Sequence, residues 1–156
     1  MTKKVFTVEE IKRKIEQYCI YQDRCHKEVE NKLKEYRLIP EAREHILLHL
    51  LEHNFLNEER FSKSFARGKF RIKKWGRDRI TRELKFRDIS SYNIKTALKE
   101  IDEEAYFNTL YDLVEKKNNQ IKEVNIFKRK KKVIDALLYK GFERDLIYKT
   151  VNEMIS

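Results

Sequence analysis

Glycine and proline are nearly absent from this chain, with three glycines and one proline among 156 residues. Sandwiches, barrels and Rossmann-type folds need many tight turns, which depend on these two residue types. Their scarcity therefore excludes such folds and predicts an all-α protein. Hydrophobic and charged residues each make up 40% of the chain, which indicates a thin core shared by helices with wide solvated faces.

Cysteines and long apolar runs are also scarce. Two cysteines, Cys19 and Cys25, do not make a disulfide framework, so the reducing cytoplasm is the expected location. No stretch approaches the roughly 18 apolar residues that span a bilayer, and the N-terminal sequence MTKKVFTVEE lacks the apolar centre of a signal peptide. We therefore expect no membrane partner.

Positive charge is what the chain has in excess, with a formal net charge of +10 and an isoelectric point near 9.5. Most of it lies between residues 67 and 87, where ten basic side chains stand against two acidic ones. Such a density of like charge repels itself unless it is well solvated or neutralised by a polyanion. The residues of this basic segment that we predict to bind a partner are Arg67, Lys69, Arg71, Lys73, Lys74, Trp75, Arg77, Arg79, Arg82, Lys85 and Arg87.

Two interpretations of the basic segment stay open. A charge run is usually a solvated helix face, but ordinary surfaces mix both signs, so contact with nucleic-acid phosphates or an acidic protein surface is favoured. Trp75, beside a helix break at Gly76, is predicted to be exposed and able to stack on a base, whereas Phe86 is predicted to be core. A second positive run, predicted to share in the binding, comprises Lys128, Arg129, Lys130, Lys131 and Lys132.

Polar residues mark where helices begin. Thr7, Asn57, Ser90 and Asn125 each precede a segment of helical apolar period, and each residue type accepts a hydrogen bond from the free amides of a first turn. These signals predict helix starts along the whole chain.

Three stretches of the chain can be superposed on one another. Leu33, Leu84 and Leu137 correspond in position, at intervals of 51 and 53 residues, and apolar residues precede and follow each at matching distances. A repeat of this size is a three-helix unit, and stacked units form an elongated array, straight or curved. We predict three tandem three-helix repeats at residues 1–55, 56–101 and 102–156.

Nothing in the sequence indicates catalysis, a metal ion or a cofactor. His45, His49 and His53 share one helix face, but no further ligand pattern completes a zinc site and a solvated flank is favoured. The Cys25–His26 pair lacks an orienting partner for nucleophilic catalysis. Paired carboxylates fall in the first turns of helices, where negative charge is favourable. We therefore predict a protein that is not an enzyme.

The middle repeat resembles the RecX family, bacterial modulators of the RecA recombinase. Its opening, Asn57-Glu58-Glu59-Arg60-Phe61, is similar to the family's acidic-acidic-x-arginine-phenylalanine pattern. Residues 76–84 resemble the glycine-x-x-arginine-isoleucine and glutamate-leucine segment that follows it. The resemblance covers roughly residues 11 to 155. Three positions differ: Asp88 stands where a glycine is usual, Cys25 where a serine cap is common, and Arg77 where a proline usually follows the middle glycine.

The resemblance implies a regulator that binds RecA and its filament on single-stranded DNA and lies along the groove of that filament. It implies altered ATP hydrolysis and strand exchange in DNA repair, recombination and the SOS response, with inhibition as the expected direction. A monomer is expected, and the share of contacts made directly to DNA stays open. The alternative is a stand-alone helical nucleic-acid-binding protein that acts through the basic segment.

Overall fold

The computed structural model describes residues 5–156, and every regular element in that range is an α-helix. The predicted all-α repeat array is confirmed, although the first four residues of the first predicted repeat lie outside the described range. The helices are α1 (Val8–Tyr21), α2 (His26–Leu33), α3 (Pro40–Glu52), α4 (Glu58–Lys73), α5 (Arg77–Phe86), α6 (Ser91–Leu98), α7 (Glu103–Gln120), α8 (Ile126–Lys140) and α9 (Arg144–Met154). We refer to α1–α3, α4–α6 and α7–α9 as the first, second and third modules.

The predicted caps stand at the helix starts. Thr7 Oγ1 accepts from the amide of Glu10 at 3.1 Å, and Asn57 Oδ1 accepts from the amide of Arg60 at 2.9 Å. Ser90 and Asn125 cap α6 and α8 in the same way. Cys25 precedes α2 without a side-chain cap bond, so this difference from the family pattern removes a capping interaction.

The repeat is visible in how α5 and α8 end. The amide of Ile89 donates to the carbonyl of Leu84 at 3.1 Å, and the amide of Phe142 donates to that of Leu137 at 3.2 Å. This six-residue closure requires a left-handed residue just before its last member. Asp88 and Gly141 fill that position with φ of 58° and 93°, which explains why a glycine suits position 88.

The hydrophobic core is divided unequally. One cluster belongs to the first module, while a second cluster runs continuously through the second and third modules and takes in Cys25. The second and third modules therefore pack as one unit. The buried residues of the first cluster are Ile11, Ile15, Cys19, Val29, Leu33, Ile46, Leu50 and Leu56.

The first module joins the second mainly through polar contacts. Arg60 Nε donates to Asp23 Oδ1 at 2.7 Å, and the amide of His26 donates to Glu58 Oε2 at 3.2 Å. Lys27 Nζ donates to the carbonyl of Phe86 at 2.8 Å, at the end of α5. Arg60, part of the family-like opening motif, is thus a joint residue.

The assembled modules expose more surface than a compact protein would. The accessible surface is 10540 Å² for a 19.1 kDa chain, whereas a compact monomer of that mass has about 8,400 Å². The excess agrees with an elongated array of modules.

Candidate polyanion-binding surface

The C-terminal end of α4 carries a group of free cations. Arg71, Lys73 and Lys74 are exposed, and within the described residues none of them has a carboxylate in ion-pair range. Cations are favourable at a helix C-terminus because they complement its dipole. This placement leaves their charge available to a partner.

Helix α5 carries two more free cations. Arg82 and Lys85 are exposed and likewise unpaired within residues 5–156. The carboxylate nearest to them in sequence, Glu83, is already held by Arg87 at 3.0 Å. The end of α4 and the exposed side of α5 therefore carry five free cations: Arg71, Lys73, Lys74, Arg82 and Lys85. We call them the free cation set.

Three other cations of the basic segment are paired within the molecule. Arg77 donates to Glu143 at 2.9 Å and to Glu103 at 3.3 Å, and its guanidinium lies 3.9 Å from the centre of the Tyr106 ring. Arg67 pairs with Glu100 at 2.7 Å, and Arg87 with Glu83. Arg77 in particular fastens α5 to the third module. Its charge is paired with Glu143 and Glu103 and is not free for a partner.

The predictions for the two aromatics were both wrong. Trp75 is half-buried, with Lys69 Nζ at 5.0 Å and the Arg79 guanidinium at 4.2 Å from its ring and Phe65 at its edge. The Trp75 ring also packs against the hydrophobic core of the second and third modules, so it is not the exposed ring that was predicted. Phe86 is 71% exposed instead of core, because it is the last residue of α5 and projects past the apolar stripe that carries Ile80 and Leu84.

The second positive run, residues 128–132, also contains both cations engaged within the molecule and free cations. Arg129 donates to the carbonyls of Glu123 and Asn118 at 2.9 and 2.7 Å, and so fastens the α7–α8 connection. Lys131 pairs with Asp135 at 2.9 Å, and Lys130 donates to the side chain of Asn152 at 3.3 Å. Lys128 and Lys132 are exposed without an ion pair in the described part of the chain.

One cation that sequence reasoning missed joins this surface. Lys140 Nζ donates to the carbonyl of Lys73 at 2.9 Å and so brings a third-module charge against the end of α4. Burial lowers the pKa of Lys140, and the positive charges of Arg79, Lys116 and Lys73 lower it further. No local sequence signal points to this contact, since 67 residues separate the two partners.

The three histidines predicted to share one helix face do not form a metal site. His49 Nε2 lies 2.7 Å from Glu16 Oε2 and its ring contacts that of His53, while His45 is exposed. In the described range, no group of three histidine, cysteine, aspartate or glutamate side chains converges as a metal site. No helix there combines the length and apolar character needed to cross a bilayer.

Comparison with known families identifies what these modules are similar to. Residues 57–98 match the second three-helix domain of RecX, and residues 103–151 match its third three-helix domain. A crystal structure of RecX from Lactobacillus salivarius superposes with a TM-score of 0.83 at 23% identity, covering 94% of this chain and 96% of that one. A second crystal structure, of a regulatory protein RecX, gives a TM-score of 0.80 with 94% and 73% coverage.

Curated relatives agree with the structural match. The regulatory protein RecX of Bacillus cytotoxicus is 26% identical over 137 residues, covering 88% of this chain and 51% of the relative. Those of Clostridioides difficile and Clostridium perfringens are 27% and 30% identical and cover 81% and 78% of this chain. The matches take in 61% and 58% of those two relatives, so the chain spans between half and two thirds of the length of these proteins.

Proposed function

Because this chain belongs to the RecX family, we propose that it is a non-enzymatic regulator that binds the RecA recombinase and its filament on single-stranded DNA. Binding inhibits ATP hydrolysis and strand exchange by the filament. The proposed place of action is the cytoplasm, where such a filament forms.

The observation that carries this proposal is the free cation set. Its five side chains lie on neighbouring elements of one module, and no carboxylate among residues 5–156 is paired with any of them. A cluster of this kind is stable only in water or against a polyanion. A nucleoprotein filament supplies that polyanion as a continuous groove.

The elongated array suits such a groove. Three modules in series offer many weak contacts, and linked weak contacts give an affinity that no single contact has. Neutralising several phosphates also releases counterions, which makes binding steeply dependent on salt. Occupying the groove would hinder the exchange of filament subunits and the entry of a second DNA strand.

A titration of the purified chain into RecA hydrolysing ATP on single-stranded DNA tests this function. The reversal variant replaces Arg71, Lys73, Arg82 and Lys85 with glutamate, and leaves out Arg77 and Arg79, whose loss would damage the joint between modules. The control variant makes the same change of net charge at exposed positions elsewhere, Arg13, Arg43, Lys95 and Arg144.

We expect the wild-type chain and the control variant to slow ATP hydrolysis and the reversal variant to have lost the effect. Equal inhibition by both variants would place the contact elsewhere on the chain. No effect of the wild type at any ratio, together with tight binding to bare nucleic acid, would favour the stand-alone nucleic-acid-binding protein.

A further inference from the structure

Two clefts flank α8, and they meet at Tyr139. One, of about 580 Å³, lies between α5 and α8 and is lined by Arg79, Arg82, Phe86 and Tyr139. The other, of about 460 Å³, lies between α7 and α8 and is lined by Lys116, Lys117, Tyr139 and Lys140. Tyr139 thus forms the ridge between two adjoining depressions.

The charged side chains that line the two clefts are nearly all of one sign. The clefts contain five cations, Arg79, Arg82, Lys116, Lys117 and Lys140. The one carboxylate among their lining residues, Glu83, is paired with Arg87 at 3.0 Å. Lys116 and Lys117 have no ion pair in the described residues. An anionic ligand that follows the clefts would therefore meet cations along its whole path.

The aromatic residues of the clefts are exposed instead of packed. Phe86 and Tyr139 are 71% and 74% exposed. The Arg79 guanidinium lies 5.0 Å from the centre of the Tyr139 ring and donates to the Tyr139 carbonyl at 3.3 Å, which holds the two side chains together. An exposed ring beside an arginine is the arrangement on which unpaired bases stack.

We infer that the two clefts form one binding track for single-stranded nucleic acid, with phosphates on the five cations and bases on Phe86 and Tyr139. The track adds the third module to the binding surface. It rests on the proposed function, since it names the part of that surface that meets nucleic acid directly. Lys27 Nζ lies 4.6 Å from the centre of the Phe86 ring, so each exposed ring has a cation beside it. A duplex would satisfy the cations but keeps its base faces stacked, and an acidic protein would have no use for two exposed rings.

Fluorescence anisotropy with a labelled oligothymidylate, in the absence of RecA, tests this track. Stacking of one base on one ring corresponds to roughly a five- to 150-fold change in affinity. We expect Tyr139→Ala and Phe86→Ala each to weaken binding at least about fivefold, although neither changes the charge. Tyr139→Phe should bind as the wild type does, and so should Tyr92→Ala, which removes an equally exposed ring on α6.

The lysines are tested by the dependence on salt. Each phosphate contact on a single strand contributes about 0.7 to the slope of log affinity against log salt. Replacing Lys116 and Lys117 with alanine should therefore reduce the slope by about 1.4. An unchanged slope overturns their role. Circular dichroism melting of each variant confirms that its fold is intact.

Three results would overturn the track: alanine variants that bind as tightly as the wild type, duplex of equal length binding as tightly as the single strand, or displacement by polyglutamate at equal charge. The RecA titration stands apart from these measurements. A wild-type chain that inhibits RecA but does not bind the single strand would refute the track alone. A wild-type chain that binds the single strand but has no effect on RecA would refute the proposed function alone.

Discussion

The backbone of Gly76 lies directly against that of Gly141. A methyl group added to Gly76 would come within 2.4 Å of the carbonyl group of Gly141 and of the Phe142 nitrogen. The amide of Gly76 donates to the carbonyl of Lys140 at 2.8 Å, and the amide of Asp78 donates to that of Gly141 at 2.9 Å. The start of α5 is thereby seated on the end of α8, which fixes the second module against the third.

Gly76→Ala should destabilise the protein because neither backbone can move away without breaking these bonds. Overpacking of this kind costs about 1–3 kcal/mol, measurable by thermal or urea denaturation. Gly68→Ala is the matched control: it lies inside α4, nothing stands within 4 Å of the added carbon, and alanine in a helix stabilises by about 0.5–1 kcal/mol. Equal stability of Gly76→Ala and the wild type would contradict the contact.

Tyr106→Phe should weaken the same joint from the other side. The Tyr106 hydroxyl donates to Glu143 and accepts from the amide of Arg77 at 3.0 Å. Burial, and then the Glu143 carboxylate, raise the pKa of this phenol, so it stays protonated as a donor. Its loss leaves a part-buried amide and carboxylate short of a partner, at a cost of about 1–3 kcal/mol. Tyr92→Phe, at an exposed ring, should melt as the wild type does, and a similar result for Tyr106→Phe would refute the role.

Asp88→Gly should stabilise the chain. Asp88 adopts φ of 58°, a left-handed conformation that costs a residue other than glycine about 1–2 kcal/mol. The substitution also removes the exposed ion pair between Asp88 and Lys27, whose atoms are 3.8 Å apart. Such a pair contributes less to stability than the left-handed conformation costs. Asp88→Ala removes the same carboxylate without the conformational freedom and should be less stable than Asp88→Gly. The reverse order in denaturant midpoints would count against the explanation.

The two thiols should resist labelling in the native protein. Burial raises the pKa of Cys19 and of Cys25 to about 11, so only about one thiol in a thousand is ionised at pH 8. Cys19 lies in the first-module core, whereas Cys25, at the start of α2, lies in the core of the second and third modules. Opening of the first-module core that leaves the start of α2 on the second module should therefore expose Cys19 first. Mass spectrometry after timed alkylation distinguishes the two, and rapid native labelling of either would contradict the core assignment.

Sequence reasoning succeeded where the chemistry is local. The caps at Thr7, Asn57, Ser90 and Asn125 depend on residues three positions away or fewer, and the equivalence of Leu84 and Leu137 follows from spacing alone. These features depend on residues close together in the chain, so a single sequence suffices to predict them.

The sequence alone does not distinguish a free cation from one that is paired within the fold. Arg77 and Glu143 are 66 residues apart, and Arg71, six residues before Arg77, looks the same in the sequence but is exposed. The exposure of Phe86 and the covering of Trp75 likewise depend on how α5 meets its neighbours. Which members of a basic run remain available is therefore a property of the joints between modules.

The most direct measurement is the affinity of the chain for a preassembled RecA filament on single-stranded DNA at several salt concentrations. With four cations of the free cation set on phosphates, the slope of log affinity against log salt should be at least about 2.8 in magnitude. The reversal variant should bind at least about a hundredfold more weakly, while the control variant binds as the wild type does. Tight binding that is independent of salt and unchanged in the reversal variant would contradict the account.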